Sequence, residues 1–209
     1  SSMDMSNLRW LDKLPKIVNE VSSALHLHAG EDVATVTGQL KGALTQLARM
    51  AMDLVWGQTG QNADGGGKDG TLRFAHGQLP EDLTEPVSQI HAQATGLSKA
   101  LEALGLEVKA VAKEDPSQAT LCAQLYAKMG ALAPRLNGVV STASLLLEHG
   151  PQPLAKWLQA ESEHGYLTMT AHACPIVPGD LLRQFLWSQV RGAVLTSASL
   201  TSCGSFDYF

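Results

Sequence analysis

The residues best able to do chemistry fall near the C-terminal end. Val194-Leu195-Thr196-Ser197-Ala198-Ser199-Leu200 has the form of a short buried strand that runs into a hydroxyl-bearing turn. Hydroxyls so placed can bridge a nucleotide site and a neighbouring strand or domain. Spacing alone favours the plainer reading, a strand followed by a Ser/Thr turn. Other candidates carry less. His26 and His28, and the pair His172-x-Cys174, are metal-ligating types without a companion pair at ligand spacing, which favours ordinary helix and strand residues. His91 sits beside an apolar stripe and reads as a flanking bundle residue, not a phosphorelay histidine. Gly65-Gly66-Gly67-Lys68 follows a polar loop and precedes no clear helix, so it is not a phosphate loop. The acidic run Glu161-Ser162-Glu163 reads as a solvated turn.

The elements that must position these residues are mostly helical. Leu83, Val87, Ile90, Ala94, Leu97, Leu101, Leu104, Val108 and Val111 recur at spacings of four and three. Cys122, Leu125, Met129, Leu132, Leu136, Val139, Ala143 and Leu146 do the same. A period near 3.5 held that long predicts long helices packed at a shallow angle. The short link Lys113-Glu114-Asp115-Pro116-Ser117 makes them an antiparallel hairpin. Pro86 fits a first turn capped by Thr84, and Pro134 predicts a kink near Gly130. An earlier helix spans about Glu31 to Trp56. Before it, Gly30 reads as the C-cap of a first helix that buries Trp10, Leu14, Ile17, Val21 and Leu25. The segment 58–69 is a flexible polar loop, and His149-Gly150-Pro151 stops the hairpin.

After Pro153 the pattern changes. Gly165 to Ala173 alternates and predicts a strand. Asp180 to Gln189 predicts a helix that buries Leu181, Leu182, Phe185 and Leu186, and Gly192 to Ser197 predicts a second strand. Strand–helix–strand is the start of an α/β layer, and two strands need partners from beyond this sequence. The expected fold is therefore mainly α: an arch-like bundle of long antiparallel helices over 1–153, then a small α/β piece over 154–209. The apolar end Ser205-Phe206-Asp207-Tyr208-Phe209 is expected to be a cut within a domain.

Composition narrows the functional classes. Fifteen Lys and Arg against twenty Asp and Glu give a net charge of −5, with no basic run. Such a chain is expected to bind nucleic acid weakly by itself. Three cysteines, Cys122, Cys174 and Cys203, with no CxxC pair suit a reducing compartment and no self-contained metal centre. No apolar run reaches membrane-spanning length, so the cytoplasm is the expected location and no membrane partner is expected. The sequence has no GxxxxGK[ST] phosphate loop, no DEAH box and no set of four cysteines. The chain is expected to have no catalytic or cofactor-binding residues of its own.

Thr196-Ser197-Ala198-Ser199-Leu200 resembles motif III of superfamily-two helicases, commonly written TSATL; Ser199 stands where Thr is usual and keeps the hydroxyl. The preceding order resembles the DinG branch of XPD-like helicases: Lys156-Trp157, an acidic run, the strand Tyr166–Ala173, Cys174-Pro175, and a helix with Phe185 and Trp187. Arg73-Phe74-Ala75-His76-Gly77-Gln78-Leu79-Pro80 is similar to a DinG-type stretch before an arch helix. The resemblance covers most of the chain and is sharpest over 156–206. It implies an arch insertion followed by the last part of a first RecA-like motor domain. It also implies a parent DNA helicase that uses ATP, Mg2+ and a 4Fe–4S cluster on single-stranded and forked duplex DNA, in repair or replication. In that parent Thr196, Ser197 and Ser199 would couple hydrolysis to the second motor domain. The competing reading is a helical interaction module with no motor attached.

Overall fold

The computed structural model describes residues 1–26, 33–59, 69–150, 153–163, 166–177 and 179–192. Contacts divide the chain into two compact units, Ser1–Ile176 and Val177–Phe209. The first is mainly α with a small antiparallel sheet. Its elements are β1 (Ser2–Asp4), α1 (Leu14–Leu25), α2 (Val33–Thr59), β2 (Gly70–Arg73), α3 (Glu81–Glu114), α4 (Ala119–Gly130), α5 (Ala133–Leu147), β3 (Leu154–Glu163) and β4 (Tyr166–Pro175).

The longest helix, α3, has 34 residues, or roughly 50 Å at 1.5 Å per residue. Its apolar stripe is buried from Leu83 to Val108, with Val111 half-buried at the end. Helices α1, α2, α4 and α5 pack against it. All eight residues of the later stripe, Cys122 to Leu146, are buried as well. The periodic spacing therefore marks the core directly. Between α3 and α4, Asp115 accepts from the Ser117 hydroxyl and amide and from the Gln118 side chain. Those bonds, the Ser117 hydroxyl foremost, hold its carboxyl below the ordinary range.

Several local expectations are corrected. Pro134 separates two helices instead of kinking one: α4 ends at Gly130, and Pro134 sits in the first turn of α5, where its missing N–H costs nothing. Pro86 lies inside α3, whose first residue is Glu81; the Thr84 hydroxyl donates to the Pro80 carbonyl and does not cap the helix. Pro86 deprives Asp82 of its helical partner, but Asp82 is exposed and water can take that place. Helix α1 ends at Leu25 with His26 as its left-handed cap (φ 52°, ψ 39°), its N–H donating to the Ser22 carbonyl. Gly30, expected in that role, lies outside the described residues.

The sheet runs in the order β1-β4-β3-β2, antiparallel throughout. β4 covers the strand predicted from alternation, but its partners β1 and β3 come from this chain and not from beyond it. The acidic run Glu161 to Glu163 ends β3 and forms no turn. Residues 154–176 pack with the helices, and the contact boundary falls after Ile176. On the sheet's inner face Met3, Leu158, Ala160, Met169, Ala171 and Ala173 are buried. Helices α2 and α5 pack against the sheet.

Lys156 also points inward and is 2% exposed. Its ammonium donates to the carbonyls of Leu146 (2.8 Å) and Glu148 (2.6 Å). These belong to the end of α5, where helical carbonyls lack intrahelical partners and the dipole favours a cation. Burial pulls the ammonium below the ordinary lysine range, and the nearby Glu148 carboxylate pulls it back up.

In the second unit, α6 (Gly179–Leu182) runs into a π-helical turn, Arg183–Trp187. Leu182, Phe185 and Leu186 are exposed, against the expectation that they are buried. The second strand expected, Gly192 to Ser197, falls almost wholly outside the described residues.

Two substitutions test this packing. Lys156→Met keeps the aliphatic stem but strands two carbonyls, and is expected to lower unfolding free energy by about 2 kcal/mol in urea titration; an unchanged midpoint would contradict the clamp. Thr142 on α5 is fully buried, and its hydroxyl has no hydrogen-bond partner among the described residues. Thr142→Val is expected to raise stability by about 1 kcal/mol in the same assay.

Candidate functional site

The outer face of the sheet is where this fold gathers polar and aromatic side chains. Because side chains alternate, the inward residues of β3 leave Ala155, Trp157, Gln159 and Glu161 on the other face. Register aligns Arg73, Trp157, His172 and Ser2 in one row across all four strands. Trp157 and His172 stack in parallel, with ring centroids 4.7 Å apart and planes 5° from each other. Burial, and then the N-terminal ammonium of Ser1, push the His172 imidazole below its ordinary range, while Glu161 pulls it up.

At one end of this face lies a groove of about 850 Å³. Its walls are the start of β3 (Leu154, Ala155, Trp157), the end of β2 (Thr71, Arg73), the turn Phe74–Gly77, and Cys174 and Ile176. The turn is anchored: the Phe74 amide donates to the Lys156 carbonyl at 3.0 Å, and the Gly77 amide to Phe74 at 3.1 Å. Gly77 has φ +65°, and a Cβ there would stand 2.0 Å from the Leu154 carbonyl oxygen, so glycine alone lets the turn approach β3. His76 beside it is also left-handed, at φ 55°. Another groove, of about 340 Å³, runs between α3, α4 and α5, where the Lys109 ammonium lies 4.7 Å from the Tyr126 ring centre.

The sequence-stated candidates fare differently. Thr196, Ser197, Ala198, Ser199 and Leu200, together with His28, Cys203 and Gly65 to Lys68, lie outside the described residues. His172 and Cys174 share the outer sheet face, half-buried. His26 is an exposed helix cap, and His91 is half-buried on α3. Among the described residues no group of three His, Cys, Asp or Glu is placed to hold a metal. Cys122 is buried in α4, whereas Cys174 lies on the outer sheet face, and both are free thiols. The groove itself was not anticipated. Its signal was present in the DinG-like stretches 73–80 and 156–174, which resemblance singled out separately and the fold brings together.

No protein-family model matches the chain. Individual curated proteins do match it. The similarity is direct in sequence. The chain is 29% identical over 211 residues to the ATP-dependent DNA helicase DinG of Photobacterium profundum, covering 96% of this chain and 28% of that protein. It is 29% identical over 144 residues to the DinG helicases of Shigella flexneri and Escherichia coli K12, covering 68% of this chain and 20% of each. The chain thus spans about a quarter of the length of the relatives it matches. Among the described residues no helix is long and apolar enough to cross a membrane.

The His172 environment sets a pH dependence. Because its folded pKa is depressed, the imidazole's contribution to stability is complete above the unfolded value of about 6.5 and is lost as pH falls through the folded value. Protonation should quench the stacked indole. A fluorescence titration, taken as wild type minus Trp157→Phe, is expected to show a midpoint below about 6.5 that His172→Asn abolishes. A midpoint at or above that value would contradict the assigned surroundings.

Proposed function

We propose that this chain is the arch insertion and adjoining motor-domain segment of an ATP-dependent DNA helicase. The observation that carries the proposal is DinG similarity along 96% of the chain. The long helices within 1–153 would form the arch, and 154–209 would complete the first motor domain. In the longer protein, other segments would supply the phosphate loop, the DEAH box with its Mg2+-binding carboxylate, and the cysteines for a 4Fe–4S cluster. That protein would translocate on single-stranded DNA and open forked duplexes, with roles in repair or replication and a cytoplasmic location. A net charge of −5 favours helices that wall the DNA path sterically over ones that grip phosphate.

In this reading Thr196 and Ser197 are coupling residues. The sequence pattern puts them at the end of an expected strand, where hydroxyls would be able to bond toward the metal-binding motif on one side and the moving domain on the other. In that expected arrangement they would touch no phosphate, so the hydrolytic barrier would be largely independent of them. Each lost hydrogen bond is worth about 1 kcal/mol, and two such losses matter in a step whose conformations differ by a few kcal/mol.

In the longer protein Thr196→Ala with Ser197→Ala is expected to leave ATP hydrolysis largely intact and to reduce strand separation far more. Proportional loss of both would contradict coupling. The 209-residue chain alone is expected to release no phosphate from ATP, because no backbone cradle with its Lys is present in its sequence. It is also expected to bind single-stranded DNA with a dissociation constant above about 1 μM at physiological salt. Tighter binding in fluorescence anisotropy would favour an arch that grips.

A further inference from the structure

We infer that the groove between β2, β3 and the Phe74–Gly77 turn is a contact site for one or two nucleotides of single-stranded DNA. The inference rests on the helicase reading and adds to it a place and a set of residues.

Charge is the first support. The chain carries more carboxylates than cations, yet no Asp or Glu lines this groove. Two cations do. The Lys156 ammonium is committed to the end of α5. Arg73 is exposed, and its guanidinium has no ion-pair or hydrogen-bond partner among the described residues. Glu161 and Asp69 lie toward the opposite end of the strands, where Asp69 accepts from the Ser162 amide. An anion entering at the Arg73 end therefore meets a free fork of donors and no nearby carboxylate on the lining.

Shape and surface are the second support. The indole of Trp157 lines the groove, and His172 stacks on it without itself lining the cavity. That support fixes the ring plane, so a stacking partner would lose little indole freedom on binding. Phe74, Ala155 and Ile176 extend the apolar wall, and Thr71 adds a hydroxyl at the rim. A flat aromatic surface beside one unpaired guanidinium is what a nucleotide unit needs: a face for the base and a fork for its phosphate. The volume admits one or two such units, not a duplex. A short contact of this kind is also compatible with weak binding by the chain alone.

The test uses the 209-residue chain and a fluorescein-labelled dT15 oligonucleotide, with anisotropy read from low to physiological salt. Arg73→Gln is on the surface and should leave the thermal melt unchanged. It is expected to weaken binding about fivefold and to reduce the magnitude of the log–log salt slope by about 0.7, the loss of one phosphate contact. Trp157→Leu is expected to weaken binding about tenfold. Lys99→Gln, an exposed cation on α3, should change neither quantity. Equal effects of Arg73→Gln and Lys99→Gln, or no effect of Arg73→Gln, would overturn the site. Thymidine monophosphate should compete only at millimolar concentration; tighter binding of the monophosphate than of the oligonucleotide would overturn its assignment to a strand. The helicase reading fails separately, if the longer protein shows no DNA-stimulated ATP hydrolysis whatever Arg73 does.

Discussion

A helix leaves its last carbonyls without intrahelical partners, and in α5 that end is turned into the protein. Lys156 reaches it from the next element in the chain, β3, and supplies an ammonium to two of those carbonyls. Much else follows from this one contact. It fixes where β3 starts relative to the helices, and β3 is the strand on which β2 and β4 both pair. It also sets which way β3 faces. With Lys156 inward, Trp157 must point outward. An ionised lysine in the core is costly unless it is paired, so the carbonyls and the cation hold each other in place.

The outer face of the sheet is assembled from distant parts of the sequence. Arg73 arrives from the segment before α3, and Trp157 and His172 from the hairpin after α5. The whole helical hairpin lies between them in sequence. The helical hairpin does not merely project from its base. Its entry and exit are stitched together by β2–β3 pairing, so the base of the helices and the groove are one construction. The left-handed turn at His76 and Gly77 closes that stitch, since only a residue without a Cβ fits under the Leu154 carbonyl at position 77.

The helices were legible in the sequence because their signal is periodic and long. Every residue of the stripes from Leu83 to Val108 and from Cys122 to Leu146 is buried in the core. The strands were less legible, for identifiable reasons. β4 alternates cleanly and was read. β3 was missed because Lys156 occupies an inward position and makes Leu154 to Ala160 look amphipathic in no regular way. β1 has three residues and β2 four, too short for any period to show. His26 took the left-handed cap expected of a glycine, a conformation that costs a non-glycine residue about 1–2 kcal/mol and that sequence rules rarely predict. The groove was invisible for a different reason: it depends on cross-strand register, which no local pattern encodes. The resemblance to DinG helicases pointed to both of its walls without joining them.

The central structural claim is that the helices and the sheet of residues 1–176 form one cooperative body, clamped at the α5–β3 joint. Native-state hydrogen exchange resolves this directly. Amides in the interior of α3 and in the β3–β4 ladder should share one opening free energy, equal to that of global unfolding, and should fall together as denaturant is added. A ladder that opens at a distinctly lower free energy while α3 stays protected would contradict it, and would mark the sheet as a separate domain docked onto the helices.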